Sequence, residues 1–220
     1  MQSLHVINPN SSAIVTATIA AAGRAALPHL ADSFVFATLV DGPDGIVTQE
    51  DADRVAPLVT DYVREHATSA SGFVIACYSD PGLFAASEVT TAPVVGLCQA
   101  GLAAAMSFGT RIGVIAVSRA AIPRHMRYYG ARGLRGLIAG ERAIDLPVAQ
   151  SGDERAALGR IIEVATALRD RDGADVIVLG CAGMSNLRPQ VEAALGVPVI
   201  DPVTAAIGVA VLRLTELGHV

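Results

Sequence analysis

Short apolar runs bounded by Gly, Pro or Asn alternate along the chain with longer stretches in which apolar residues recur every three to four positions. The first pattern suits strands buried on both faces and the second suits amphipathic helices, so the alternation predicts βα units. Strands are expected at Leu4–Ile7, Ser33–Leu39, Gly72–Ala76, Val94–Gly96, Arg111–Val117, Ala143–Leu146, Val176–Leu179 and Val197–Ile200. Between Thr48 and His66, Val55, Leu58, Val59, Tyr62 and Val63 share one helical face. Pro57 lies inside that stretch and predicts a break or a late start, because proline removes a helix hydrogen bond. Leu158, Ile161, Ile162, Ala165 and Leu168 repeat the pattern within Glu154–Arg169. Segments near Gln99–Phe108 and Thr204–Leu217 are apolar nearly all round, which predicts buried helices.

The two halves of the pattern resemble each other. Phe73–Cys77 matches Ile177–Cys181 at an offset of 104 residues, Pro93–Gly96 matches Pro198–Asp201 at 105, and His5–Asn10 matches Gly113–Ser118 at 108. Such a duplication predicts an α/β fold of two similar lobes related by pseudo-twofold symmetry. Each lobe would hold a small parallel sheet of about four strands, with the two apolar helices between them. The expected division is 1–98 for the first lobe, completed by a C-terminal helix over 204–220, and 99–203 for the second.

Composition sharpens this picture. At 52% hydrophobic and 17% charged, the 220 residues describe a densely cored protein. The 16 basic residues against 21 acidic ones leave a net charge of −5, which offers no footprint for nucleic acid or an anionic membrane. All 16 are arginine. Without lysine there is no Walker A loop, Schiff-base amine or pyridoxal-phosphate anchor. Met1–Val6 shows no signal-peptide pattern, and the uncharged stretch 89–110 is interrupted by Pro93, Gly96, Gln99 and Gly101, so a cytoplasmic chain is expected. The histidines are scattered without ligand spacing, so no metal is expected. Cys77, Cys98 and Cys181 form no CxxC pair, which predicts free thiols.

Cys77 and Cys181 each follow an apolar strand directly, which puts them at the carboxyl edge where open parallel sheets bind ligands. With the lobes facing, the two thiols oppose each other across one cleft. A lone cysteine is most often a small buried hydrophobe; a matched pair in a duplicated fold suggests chemistry. Asp80-Pro81 reads as the start of a helix after Cys77, and Cys181–Ser185 precedes a helix near Pro189. Helix N-termini are expected to favour the thiolates, and Gly183 to let backbone N–H groups approach a ligand. Two opposed bases flanking one carbon suit racemisation: one thiolate takes a proton, the other thiol returns one to the opposite face.

At these residues the chain resembles the aspartate/glutamate/hydantoin racemase superfamily, and within it the hydantoin and allantoin racemase branch. The matching words are Ile7-Asn8-Pro9-Asn10, Ala76-Cys77-Tyr78-Ser79-Asp80-Pro81-Gly82, Pro93-Val94-Val95-Gly96-Leu97-Cys98, Leu179-Gly180-Cys181-Ala182-Gly183-Met184 and Val197-Pro198-Val199-Ile200-Asp201. The resemblance implies a cofactor-independent, two-lobed enzyme with Cys77 and Cys181 as paired acid/base residues. It further implies a substrate site that includes Asn10 and the backbone around Ser79, Ala182 and Gly183. Tyr78 and Ser118, the position matching Asn10 in the second half, join these binding candidates.

Amino-acid racemases of the superfamily follow the cysteine with Asn-Thr, whereas here Tyr78-Ser79 and Ala182-Gly183 follow, which fits a neutral ring better than a zwitterion. Related decarboxylases lack the first cysteine. Aspartate or glutamate racemisation and maleate isomerisation stay open on this scaffold, as does a non-catalytic small-molecule-binding protein. Expected partners are a small-molecule substrate and further copies of the chain. Cys98 is assigned to packing. Arg124, Arg127, Arg132, Arg135 and Arg142, with Tyr128 and Tyr129, could steer an anion or bind RNA, but read better as an exposed loop or subunit contact. The turn-rich Asp41–Gly45 segment either covers the cleft or is simply a loop.

Overall fold

In the computed structural model, residues 3–218 are described; the end of the helix expected through 220, with His219, lies outside the described residues. Strand and helix alternate: β1 (Ser3–Asn8), α1 (Ala13–Ala26), β2 (Phe34–Thr38), α2 (Gln49–His66), β3 (Ala70–Ile75), α3 (Leu83–Glu88), β4 (Val94–Gly96) and α4 (Leu97–Ala105). The second half follows with β5 (Ile112–Ala116), α5 (Ile122–Ala131), β6 (Ile138–Ala143), α6 (Glu154–Asp170), β7 (Val176–Leu179), α7 (Arg188–Leu195), β8 (Val199–Ile200) and α8 (Pro202–Glu216). Every pairing is parallel. The sheet orders β2-β1-β3-β4 and β6-β5-β7-β8 repeat one topology, so the duplication is real at the level of strands. In both sheets the central strands are buried along nearly their whole length, which is why they read as continuous apolar runs.

Helices α4 and α8 lie against each other between the sheets. The crossover is reciprocal: α4 packs on β7 and β8, while α8 packs on β3, β4 and α1. Leu97 and Leu102 of α4, and Val203, Ile207 and Leu214 of α8, are buried there. Each contributes about 1.5–3 kcal/mol of burial free energy.

Three expectations change. Helix α2 runs unbroken through Pro57, because a capping box between Thr48 and Asp51 fixes its start and the buried Val55, Val59 and Val63 hold its inner face. Strand β6 lies at Ile138–Ala143, ahead of the expected 143–146; as an edge strand of half-buried residues carrying Glu141 and Arg142, it has no apolar run to betray it. Asp80-Pro81 starts no helix: α3 begins at Leu83 behind Gly82, and Asp80 adopts the left-handed conformation with φ 47°. No helix among the described residues is long and apolar enough to cross a membrane.

Candidate active site

The four central strands all deliver their carboxyl ends to one cavity. Asn10 comes after β1, Ala76 to Ser79 after β3, Val117 after β5, and Gly180 to Ala182 after β7. Matched hydrogen bonds launch the two cysteine turns: Ala76 N–H donates to Ile7 at 2.7 Å and Gly180 N–H donates to Ile115 at 2.8 Å. Cys77 and Cys181 therefore line the same cavity, close enough that charge on Cys77 disfavours charge on Cys181. Only about 30 Å³ of it admits the centre of a water molecule, room for a water or two but not for a five-membered ring. Ligand entry thus requires the lobes or the loops between them to open.

Among the binding candidates, Asn10, Tyr78, Ser79 and Ala182 line the cavity. The Asn10 carbonyl accepts from Asn8 and from the Ser12 N–H, which leaves its NH2 group to offer. Ser118 does not line it: its hydroxyl caps the turn Arg119–Ala121, and Val117 and Ala121 take the wall instead. Gly183 faces a neighbouring hollow, and what its missing side chain admits is the Ser151 hydroxyl, which a Cβ there would strike.

The thiols are not poised by helix N-termini as expected. Burial pushes both above the ordinary thiol range, because a thiolate loses solvation in a closed apolar wall. At Cys77 the Arg124 guanidinium and Ser79 pull the other way, with the Sγ 3.5 Å from the Ser79 hydroxyl, while Asp80 adds to the upward push. At Cys181 the opposing donors are uncharged: Ser151, 3.6 Å away, and the Gly183 N–H. The Ser151 hydroxyl also reaches the Val148 carbonyl at 2.7 Å, so its single hydrogen must choose between carbonyl and thiolate.

Each cysteine turn is tied to the following crossover helix by an aspartate. Asp201, at the N-cap of α8, accepts from Val203 N–H, Thr204 N–H and the Ser185 hydroxyl of the Cys181 turn. Its counterpart in the duplication is Gly96, which cannot cap α4. Asp80 reaches across from the Cys77 turn instead, accepting from Cys98 N–H at 2.8 Å, Gln99 N–H at 3.0 Å and the Tyr128 hydroxyl at 2.5 Å. A Cβ at Gly96 would occupy the space of that carboxylate. Cys98 itself is fully buried among Leu102, Ile112 and Tyr129.

The arginine-rich segment is neither loop nor exposed throughout. Its first part forms α5, whose inner face carries Arg124, His125 and Tyr129, with Arg124 and His125 in the cavity wall, while Arg135 starts a short turn and Arg142 lies on β6. Arg124 is 6% exposed; one Nη2–H bond reaches the Val47 carbonyl at 3.3 Å, spanning from the second lobe to the loop that follows Asp41–Gly45. Ile46 of that loop lines the cavity, so the loop does border the cleft. His125 Nδ1 lies 2.5 Å from Glu141 Oε1, and Tyr129 donates to Oε2 of the same carboxylate at 3.1 Å. No sequence spacing announces these contacts. A roomier hollow outside α6 is walled by ion pairs such as Arg119–Asp145 and Arg160–Glu163 and contains no thiol.

The sequence model of the Asp/Glu/Hydantoin racemase family matches residues 4–210. A hydantoin racemase of Rhizobium meliloti is 39% identical over 210 residues, covering 94% of this chain and 86% of the relative. A hydantoin racemase of Paenarthrobacter aurescens is 33% identical over 97% of this chain and 91% of its own. The solved allantoin racemase from Klebsiella pneumoniae superposes with a TM-score of 0.89 at 32% identity, covering 99% of this chain and 89% of that one. With the same two-lobed architecture and essentially full-length similarity, the chain belongs to the Asp/Glu/hydantoin racemase family and is a racemase.

Proposed function

We propose that this racemase inverts the acidic ring carbon of 5-substituted hydantoins or of allantoin, without a cofactor, using Cys77 and Cys181 as its two bases. The observation that carries the reading is the placement of both thiols, at the ends of equivalent central strands, in the wall of one cavity. A thiolate on one side takes the proton from the ring carbon, and the electron pair moves onto the adjacent carbonyl as an enolate. The opposite thiol then protonates the other face and becomes the thiolate, so one turnover transfers the negative charge between lobes. Positioned acid/base groups of this kind contribute about 10²- to 10⁴-fold. Asn10 NH2 and the backbone around Ser79 and Ala182 are the nearby donors for the ring oxygens. The hydantoin and allantoin racemases among its relatives support the substrate class, as does the absence of an Asn-Thr pair after either cysteine.

Loss of optical rotation from enantiopure 5-substituted hydantoins and allantoin, run beside aspartate and glutamate and with maleate isomerisation followed separately, tests the assignment. Turnover of the ring compounds is expected; turnover of the amino acids or maleate alone would overturn it.

A further inference from the structure

Two side chains in the cavity wall carry buried polar atoms with no partner among the described residues. Arg124 is buried, and only its Nη2 is engaged, by the Val47 carbonyl; its Nε and Nη1 donors are unsatisfied. The neighbouring His125 is 3% exposed, and its Nε2 is likewise without a partner. Both residues line the cavity that holds the thiols. An unmade hydrogen bond at a buried polar atom costs about 1–3 kcal/mol, more for a charged one, so three such atoms on adjacent residues mark a place where a ligand completes the wall.

The chemistry of that ligand follows from the ring's orientation. A neutral imidazole that donates from Nδ1 to Glu141 Oε1 keeps Nε2 as an acceptor. Donors and an acceptor therefore stand side by side. That pair is complementary to a carbonyl oxygen with an N–H next to it, and it mismatches a carboxylate, which has two acceptors and no hydrogen.

We infer that Arg124 and His125 read the amide edge of the substrate, one of the two free N–H edges of Arg124, Nε or Nη1, donating to a ring carbonyl oxygen while His125 Nε2 accepts from the adjacent ring N–H. Glu141 and Tyr129 act as positioning residues that fix the imidazole. The inference rests on the cavity being the substrate site and adds to it the feature that selects ureide rings over amino acids. Arg124 also bridges to Val47 of the other lobe, so ring binding completes a contact that spans the cleft.

The test uses 5,5-dimethylhydantoin, which lacks a hydrogen on the reacting carbon and so binds without turnover, together with its N1-methyl, N3-methyl and dimethylated forms. Calorimetric titration of the wild-type protein should show at least one N-methylation weakening binding about tenfold or more. Arg124→Met should weaken the parent ring by a similar factor. His125→Phe should lose the penalty for N-methylation, and His125→Gln, which restores an acceptor, should regain it. Equal binding of all the rings overturns the inference, as does parent-ring binding unchanged by Arg124→Met. A methylation penalty that persists in His125→Phe also overturns it, since the cause is then bulk, and so does aspartate binding more tightly than the ring. Polarimetry on the same preparations separates the two claims. The expected binding pattern without racemisation sinks the proposed activity alone, whereas racemisation with indifferent binding by the variants sinks only the role of Arg124 and His125.

Discussion

The two cysteine turns occupy equivalent places in a duplicated fold, yet their surroundings differ in kind. Cys77 has a cation beside it, Arg124, with an anion, Asp80, pushing the other way; Cys181 has only neutral donors, Ser151 and the Gly183 N–H. Even the helix caps diverge: Asp201 caps its helix locally, while Asp80 does the same for α4 from within the Cys77 turn itself. Duplication supplies two matched thiols by symmetry, and side chains brought in from elsewhere make them unequal. A thiolate at Cys77 therefore has a cation to offset its burial, whereas one at Cys181 has only neutral donors.

The comparison breaks most severely if one thiol is removed. Cys77→Ser or Cys181→Ser should slow racemisation about a thousandfold, the scale of a lost acid/base group. Each variant should still exchange the ring hydrogen of one enantiomer in deuterium oxide, and the two should prefer opposite enantiomers by proton NMR. Wild-type racemisation by either variant would rule out two bases.

Next in size is the cation. Because burial raises both thiols, kcat/KM should climb with pH as one thiol ionises. In Arg124→Met the stabilised thiolate is lost, so this limb should move to higher pH, and neutral-pH kcat/KM should fall about ten- to a hundredfold. Alkylation rates followed by mass spectrometry against pH should show the same upward shift at Cys77 and none at Cys181. Equal shifts at both would mean that Arg124 acts on the cavity as a whole. In wild type, Cys77 should label first and Cys98, fully buried, last.

The caps sharpen the contrast further. Asp80→Ala and Asp201→Ala should each cost about 1–2 kcal/mol in urea unfolding, as lost caps do. Only Asp80→Ala should also lower kcat, by about tenfold, since its carboxylate holds the Cys77 turn against α4 and Tyr128. The smallest effect belongs to Ser151→Ala, about three- to fivefold, confined to the direction in which Cys181 is the base. An equal loss in both directions would place Ser151 outside that step.

Strands were legible wherever burial on both faces wrote a continuous apolar run, and the paired thiols were legible because they terminate two such runs. Strand β6 was hidden, since an edge strand with Glu141 and Arg142 carries no such run. Arg124 and His125 were hidden for a different reason. Arginines among glycines look like a solvated loop; only the tertiary fold turns the first turn of α5 inward and brings Glu141, 16 residues on, against the imidazole. Ser151 reached Cys181 through packing against Gly183, which no local pattern encodes.

The reciprocal crossing of α4 and α8 has a consequence for synthesis. The N-terminal sheet is covered on one side by α8, the last helix of the described chain, with Arg213 bonded to the Val94 carbonyl across 119 residues of sequence. As the polypeptide emerges, β3, β4 and α1 therefore wait with an uncovered apolar face until α8 has been made. Contacts so distant in sequence slow folding and leave an aggregation-prone intermediate. The N-terminal half expressed by itself should accordingly be insoluble or associate, and nascent chains halted before α8 should be the ones that chaperones retain.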